Sequence, residues 1–488
     1  MIKIAFFNNQ GGNVRLPFYR GLACEVQRRS NNIRSTLVVW EKSEARALEL
    51  QDEVDLVVFE DWMSPRPRVT SADVDTLNDR YKDVNWAEVV AAERSFTDFS
   101  LLLGAAGDRK ESVSYVSGLV VRLVWFYEHL IKDLGVSVFV SPTADTLFTL
   151  VGYKVARTHG VKVISESPGW LIPNGFPGAG FFCSDEFMHC PRMQAKYLEL
   201  KSRALTLSEI REAEDVEESV LSFRGKTSFS VRNKGADAGR RALTPNVKDL
   251  VTHVAKNVRL DKQIVYTKFE IAQKVRANFL RLYRKFVTKR HLESVRYANL
   301  PKKIVFFPLQ YQPEQSTLTQ ATWFSNQIHM VECISKSLPM GYTLVVKEHP
   351  WGRGNRPLWQ YKHIDRLYNV VMCDASARHI VERAHAVVAL PGTVALESMI
   401  LDCPTVLVGK AFFDFSSFFF KVADITQLPS VLRAILIDGQ RLSKDERRLE
   451  VLRTLLAYKE ALVPAFPTTD HIELYSIELI REIDLRKS

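Results

Sequence analysis

The chain has 488 residues, more than one hydrophobic core usually supports, and its 46% hydrophobic and 25% charged residues are those of an ordinary soluble globular protein, so two domains are expected. Net charge is +10, yet residues 224–303 alone hold 21 Lys or Arg against 5 Asp or Glu, so the whole positive excess lies in one segment. No run approaches the roughly 20 apolar residues that span a bilayer, the start Met1–Phe7 lacks a secretory-signal pattern, and six cysteines with no pair at two-residue spacing exclude zinc and redox motifs, which gives the expectation of reduced, buried thiols and a cytoplasmic location.

The chain opens on a β-rich run, Ile2–Phe7, which ends in Asn8-Asn9-Gln10-Gly11-Gly12-Asn13 and is followed by a helical Tyr19–Arg29. Thr36–Trp40, Val54–Phe59, Val136–Ser141 and Val161–Ser165 are apolar runs of the length of strands buried on both faces, with helices at Gly118–Leu134 and Ala144–Thr158. Leu205–Glu218 reads as an acidic helix and Arg224–Arg241 as a glycine-punctuated loop. Lys262–Ala298 recovers a helical pattern, with Ile264, Ile271, Val275, Phe279, Leu282, Phe286 and Val287 near one stripe and Lys or Arg crowding the rest. From Lys303, strands are expected at Ile304–Pro308, Thr343–Val346, Val370–Cys373, Val387–Leu390 and Thr405–Val408. Helices are expected at Ala321–Ser337, Ala377–Ala384, Val394–Leu401, Gln427–Ile437, Lys444–Tyr458 and His471–Arg486. Such alternation implies parallel sheets. The expected class is α/β, with two Rossmann-like domains facing a central cleft. The divisions are 1–200, a basic helical insertion at 201–300, a second domain at 301–465, and a helix at 466–488 that returns to the first domain.

Three polar punctuation marks follow strand-like runs in the second half. Gln310-Tyr311-Gln312-Pro313-Glu314 follows Ile304–Pro308; Lys347-Glu348-His349-Pro350 follows Tyr342–Val346; Pro391-Gly392-Thr393, leading to Glu397, follows Ala386–Leu390. In an open parallel sheet ligands lie outside the carboxyl ends of the strands, so the three marks converge on one crevice. Gly392 lets the backbone approach a ligand, Thr393 caps the following helix, and the next amides point at an anion. Glu397, one turn on, is placed to accept hydrogen bonds from ribose hydroxyls. His349 offers a ring nitrogen to a phosphate, Pro350 fixes the turn that aims it, and Lys347 adds positive charge. Gln312 reads a base edge or holds a phosphate oxygen, on a loop fixed by Pro313. Each mark alone also reads as a plain turn; together they indicate a nucleotide-type donor site.

In the first half, the turn carrying Asn9, Gly11 and Gly12 is suited to an acceptor but is no dinucleotide fingerprint, so no cofactor is expected. Strand-end carboxylates Glu60, Asp61, Asp145 and Glu166 are candidates for acid, base or nucleophile. Glu166 heads the irregular Glu166-Ser167-Pro168-Gly169-Trp170 loop and stands first, with Asp145 second. The aromatic run Phe412–Phe420 reads as core ahead of a stack for a sugar or base or the lining for a lipid-like tail. The basic stripe of Lys262–Ala298 reads as a solvated face or, better, as attachment to the anionic inner face of the cytoplasmic membrane or to a polyanionic glycan, and no nucleic-acid motif accompanies it.

The ordered set Phe306–Glu314, Lys347-Glu348-His349-Pro350 and Gly392-Thr393…Glu397 resembles the bacterial capsular polysaccharide biosynthesis family over roughly Lys303–Lys421. That family includes the retaining β-Kdo glycosyltransferases, whose "QP" and "HP" motifs these look like. The resemblance implies a GT-B-like pair of Rossmann domains, a nucleotide sugar such as CMP-Kdo held without a metal in the C-terminal domain, Gln312 and His349 as donor-site residues, and a glycan or glycolipid acceptor. Its acidic catalytic residue lies in the N-terminal domain, where Glu166-Ser167-Pro168-Gly169 matches only loosely. A nucleotide-sugar epimerase and a non-catalytic polysaccharide-binding or export-coupling protein are the alternatives.

Overall fold

A computed structural model of the protein describes residues 1–8, 15–48, 54–63, 68–93, 113–142, 144, 146–169, 171–173, 176, 178–222 and 271–485. The described residues up to 93, from 113 to 195 and from 458 onward form one compact unit, and those from 196 to 457 form another.

The first unit is built on six strands: β1 (Ile2–Phe7), β2 (Ile33–Val39), β3 (Asp55–Val58), β4 (Val138–Pro142), β5 (Lys162–Pro168) and β6 (Gly180–Cys183). Their order is β3-β2-β1-β4-β5-β6, parallel except for β6, which runs antiparallel to β5. The central strands β1 and β4 are mostly apolar and buried because helices cover both faces of a parallel sheet. On one face the helix Ile472–Leu485 lies along the helix Leu16–Arg29, with the rings of Phe18 and Tyr475 edge-on at 5.4 Å. The Tyr475 hydroxyl donates to Ala465 O at 2.9 Å and passes so close to Gly180 that a Cβ there would sit 2.0 Å from it. On the other face Phe7, Tyr127, Phe139 and Phe148 pack as one aromatic cluster.

The second unit repeats the plan with β7 (Ile304–Pro308), β8 (Thr343–Lys347), β9 (Val370–Met372), β10 (Ala386–Ala389), β11 (Thr405–Val408) and β12 (Phe419–Val422). The order β12-β11-β10-β7-β8-β9 is parallel throughout. Read from β9, both sheets have the strand order 3-2-1-4-5-6 of the dinucleotide-binding fold. The expected α/β class with two Rossmann-like domains is therefore the one the protein has. Side-chain caps set several helix starts: Asn326 accepts from His329 N at 3.1 Å and Ser376 from His379 N at 3.2 Å. The Asn326 cap explains why the helix expected from Ala321 begins only at Gln327.

Two strands escaped the sequence pattern. β6 is a four-residue edge inside a Gly/Pro-rich stretch, and β12 ends the aromatic run, whose Phe412, Phe413, Phe418 and Phe419 are buried as core. Within Lys262–Ala298 the described helix is Ile271–Thr288. The apolar stripe expected from the sequence faces outward, for Phe279, Leu282 and Phe286 are exposed while Ala277 and Thr288 are buried. The loop expected at Arg224–Arg241 lies outside the described residues. No helix among the described residues is long and apolar enough to cross a membrane. None of the six cysteines is in a disulfide; four are buried as expected, while Cys24 and Cys333 are only half-buried, and no His/Cys/Asp/Glu group among the described residues could hold a metal.

Candidate functional site

The strand order of the second sheet reverses between β7 and β10, the topological switch point at which this fold binds ligands. Pro308 pairs with Lys347 and Phe306 with Val387. Continued past the strand ends, the same register puts Gln310 in one row with His349 on one side and Pro391 on the other. His349 and the start of the helix Thr393–Ile400 are thus two strand spacings apart, about 10 Å. All three marks stand on one shelf at the carboxyl edge of β10, β7 and β8.

Gly392 occupies the N-cap of that helix, and a Cβ on it would meet the Gln310 carboxamide at 3.2 Å. The cap position has no side chain, so Thr393 does not cap the helix as expected; it is the first helical residue. No cap side chain competes for the first-turn amides, which lack intrahelical acceptors. Glu397, one turn on, is half-buried, and burial raises its carboxyl to about 7 against the opposing charge of Arg378. No hydrogen-bond or salt-bridge partner of its carboxyl is found among the described residues.

His349 caps the short turn Pro350–Gly352, with its Nδ1 accepting the Trp351 amide at 3.2 Å. That bond leaves the proton on Nε2, so the neutral ring offers a donor from the half-exposed side. Burial, helped by Lys347 and Arg356, pulls His349 down to about 4. Lys347 is buried, and its Nζ donates to Asp374 Oδ1 at 3.3 Å, an oxygen that also accepts from Arg353 Nη2 at 2.5 Å. Two cations share one carboxylate, so a single positive charge is left in excess beside the shelf.

Glu348, missed as a site residue, anchors this loop from beneath. Its side chain is 0% exposed, and it accepts from Arg356 Nε at 2.9 Å, Tyr361 OH at 2.7 Å and the His349 amide at 2.8 Å. Arg356 also donates to Gln310 O at 3.0 Å, which ties the β8 loop to the β7 loop. Gln312 belongs to this scaffold: Nε2 donates to Ser325 O at 2.7 Å and Oε1 accepts from Arg356 at 3.4 Å. Its amide, expected to face the donor, is thus engaged at both ends, with Pro313 next to it in a cis peptide. The sequence signal for Arg356 was the Gly/Arg-rich stretch 350–357, which carries no periodicity.

In the first unit Glu166 is not on an irregular loop. It lies inside β5, paired with Pro142 and Phe182, is 1% exposed, and accepts from Arg15 Nη1 at 2.7 Å and Tyr19 OH at 3.0 Å. Burial and the Glu166 charge raise the Tyr19 hydroxyl well above its ordinary value. Asn8 falls in the same row by continuation of the β1–β4 register, buried, with no hydrogen-bond partner for its carboxamide among the described residues. Asp145, Asn9, Gly11 and Gly12 lie outside the described residues. Glu60 and Asp61 are taken up locally, by the Lys42 amide at 2.8 Å and Lys42 Nζ at 2.6 Å. A hollow lined by Pro404, Phe418 and Arg447 opens at the amino edge of β11 and β12, away from the shelf.

No family model and no curated protein matches the sequence. Among solved structures, the chain is similar to the β-Kdo 2,7 transferase KpsC of Thermosulfurimonas dismutans at 13% identity and TM-score 0.32, over 70% of this chain and 96% of that one. It is also similar to the UDP-GlcNAc 2-epimerase of Neisseria meningitidis, at 10% identity and TM-score 0.27, over 99% and 100% of the two chains. A third similarity is to the UDP-GlcNAc 2-epimerase of Methanocaldococcus jannaschii, at 9% identity and TM-score 0.25, over 91% and 94%. At such scores function rests on the residues of this chain.

Proposed function

We propose that the protein is a glycosyltransferase of surface-polysaccharide assembly, acting at the cytoplasmic side and taking its sugar from a nucleotide donor bound on the shelf of β10, β7 and β8. The observation that carries this reading is the row formed by His349, Gln310 and the start of the helix Thr393–Ile400 at the switch point of a Rossmann sheet. The first-turn amides and the Nε2–H of His349 are preorganised donors for the phosphate that departs, where charge develops as the glycosidic bond breaks. Glu397 takes the ribose hydroxyls. CMP-Kdo is the first donor to try, with a glycan or glycolipid as acceptor.

Calorimetric titration with CMP, UDP and GDP tests the reading, and the absence of binding to all three would end it. Incubation with donor alone, followed by NMR, separates transfer from epimerisation, because without an acceptor a transferase can only release the sugar to water whereas an epimerase inverts one of its stereocentres. Binding is also expected to release protons. Raised to about 7, the Glu397 carboxyl is largely protonated at about pH 6, whereas ribose hydroxyls that donate to it favour the carboxylate. Proton release, read from titrations in buffers of different ionisation enthalpy, should approach one near pH 6, vanish by about pH 8.5 and disappear in Glu397→Gln. A release that ignores pH would remove Glu397 from the site. In the free protein the same raised value stabilises the fold below the usual carboxylate range, and this contribution is lost as pH rises through about 7.

We assign the carboxylate that works on the anomeric carbon or the acceptor hydroxyl to Glu166. Glu166→Gln keeps the volume and can still accept from Arg15 and Tyr19 while the charge is removed. Transfer should fall to background with nucleotide affinity unchanged; full transfer in this variant would leave Glu166 a purely structural partner of Arg15.

A further inference from the structure

The helix Ile271–Thr288 of the second unit carries an exposed apolar face. Phe279 is 70% exposed, Leu282 48%, Tyr283 56% and Phe286 83%. These four follow the i, i+3, i+4, i+7 rule and so form one stripe. The opposite side is fastened down: Ala277 and Thr288 are buried, Arg281 Nη2 donates to Trp351 O at 3.3 Å, and Arg284 Nη1 donates to Asn355 O at 2.7 Å. The helix has therefore turned its polar anchors inward and its aromatic residues outward, the reverse of a surface helix packed on a core. Two exposed phenylalanines one turn apart from a leucine and a tyrosine need a cover.

Charge selects the cover. From residue 271 to residue 290 the chain has 7 Lys or Arg and no Asp or Glu. Arg276, Lys285, Lys289 and Arg290 are all exposed and flank the stripe. A second copy of this chain would bring like charges together across the same face. An anionic phospholipid surface instead meets both features, with acyl chains for the aromatic centre and phosphates for the flanks. We propose that this helix docks on an anionic bilayer surface, its stripe in the boundary between headgroups and acyl chains and its four flanking cations on lipid phosphates. Docking is peripheral and rests on this face alone, so it holds whichever sugar is transferred.

Flotation of the full chain with phosphatidylcholine vesicles containing about one-quarter phosphatidylglycerol, at about 0.1 M salt, tests this. The protein should float with these vesicles and bind pure phosphatidylcholine about tenfold more weakly or less. Phe279→Ser/Phe286→Ser and Lys289→Glu/Arg290→Glu should each lose about tenfold in binding, with unchanged thermal midpoints, because all four side chains are exposed. Failure of the wild type to float, equal binding to both vesicles, or variants that bind like the wild type would overturn the proposal. So would light scattering that shows a dimer dissolved by the phenylalanine variants without lipid. Nucleotide affinity measured without vesicles distinguishes a failure here from a failure of the transferase reading.

Discussion

His349→Ala is expected to slow turnover of the nucleotide sugar by about 10²–10³-fold, the cost of removing one preorganised donor from a developing oxyanion. The expectation follows from how the ring is held. The Trp351 amide occupies Nδ1 and so directs the proton to Nε2, while burial beside Lys347 and Arg356 keeps the imidazole uncharged down to about pH 4. A neutral donor stays in the correct state across the physiological range, so no rate titration from this group should appear above about pH 5. His349→Gln retains an N–H and should recover part of the loss, which alanine cannot. Donor hydrolysis measured without acceptor is a sufficient readout. An alanine variant with more than half the wild-type rate would remove the imidazole from the mechanism. The depressed value also sets a stability window: the neutral ring favours the fold above the usual histidine range, and that contribution is lost as pH falls toward 4.

Arg356→Met should cost the second unit about 3–5 kcal/mol, because it leaves the Glu348 carboxylate buried without its cation. Glu348 is 0% exposed and Arg356 8%, so water cannot replace the missing partner cheaply. Arg356 also donates to Gln310 O and Gln312 Oε1, and its loss frees the β7 loop from the β8 loop. Replacing both members, as Glu348→Leu/Arg356→Met, should recover much of the stability, since an apolar pair of similar volume carries no desolvation penalty. Nucleotide affinity should stay low in the double variant, because the His349 amide has lost its acceptor. Urea unfolding of the two variants checks this. A single variant within about 1 kcal/mol of wild type would show that solvent reaches the pair.

Much of the fold could be read from strands such as Ile304–Pro308, whose unbroken apolar residues leave no other reading once turns and helices flank them. The shelf was legible for the same reason, as polar residues directly after such strands have only the carboxyl edge to occupy. The roles of individual side chains were less so. Gln312 and His349 sit in similar X-Pro settings, yet one amide is consumed by Ser325 and Arg356 while the other ring keeps a donor outward. That difference depends on Arg356, more than forty positions beyond Gln312, and no local pattern announces it. From the sequence Glu166 reads as part of a loop, because its Ser-Pro-Gly sequel suggests a turn. Pairing with β6, an element too short to show a period, extends the strand through it instead. The stripe of Phe279, Leu282 and Phe286 was visible as periodicity, but periodicity does not say which side of a helix faces water; Arg281 and Arg284 decided that by bonding inward.

The first unit takes its polypeptide from both flanks of the second, and this has a consequence for synthesis on the ribosome. Residues 196–457 contain every strand of their own sheet and can close around it as soon as they emerge. The earlier-made sheet must wait, because the bed formed by Phe18, Leu22 and Val26 is filled only when Tyr475, Leu479 and Ile483 arrive. The half translated first is therefore the half completed last, and a nascent chain stalled short of residue 458 exposes that greasy bed to chaperones and to its neighbours.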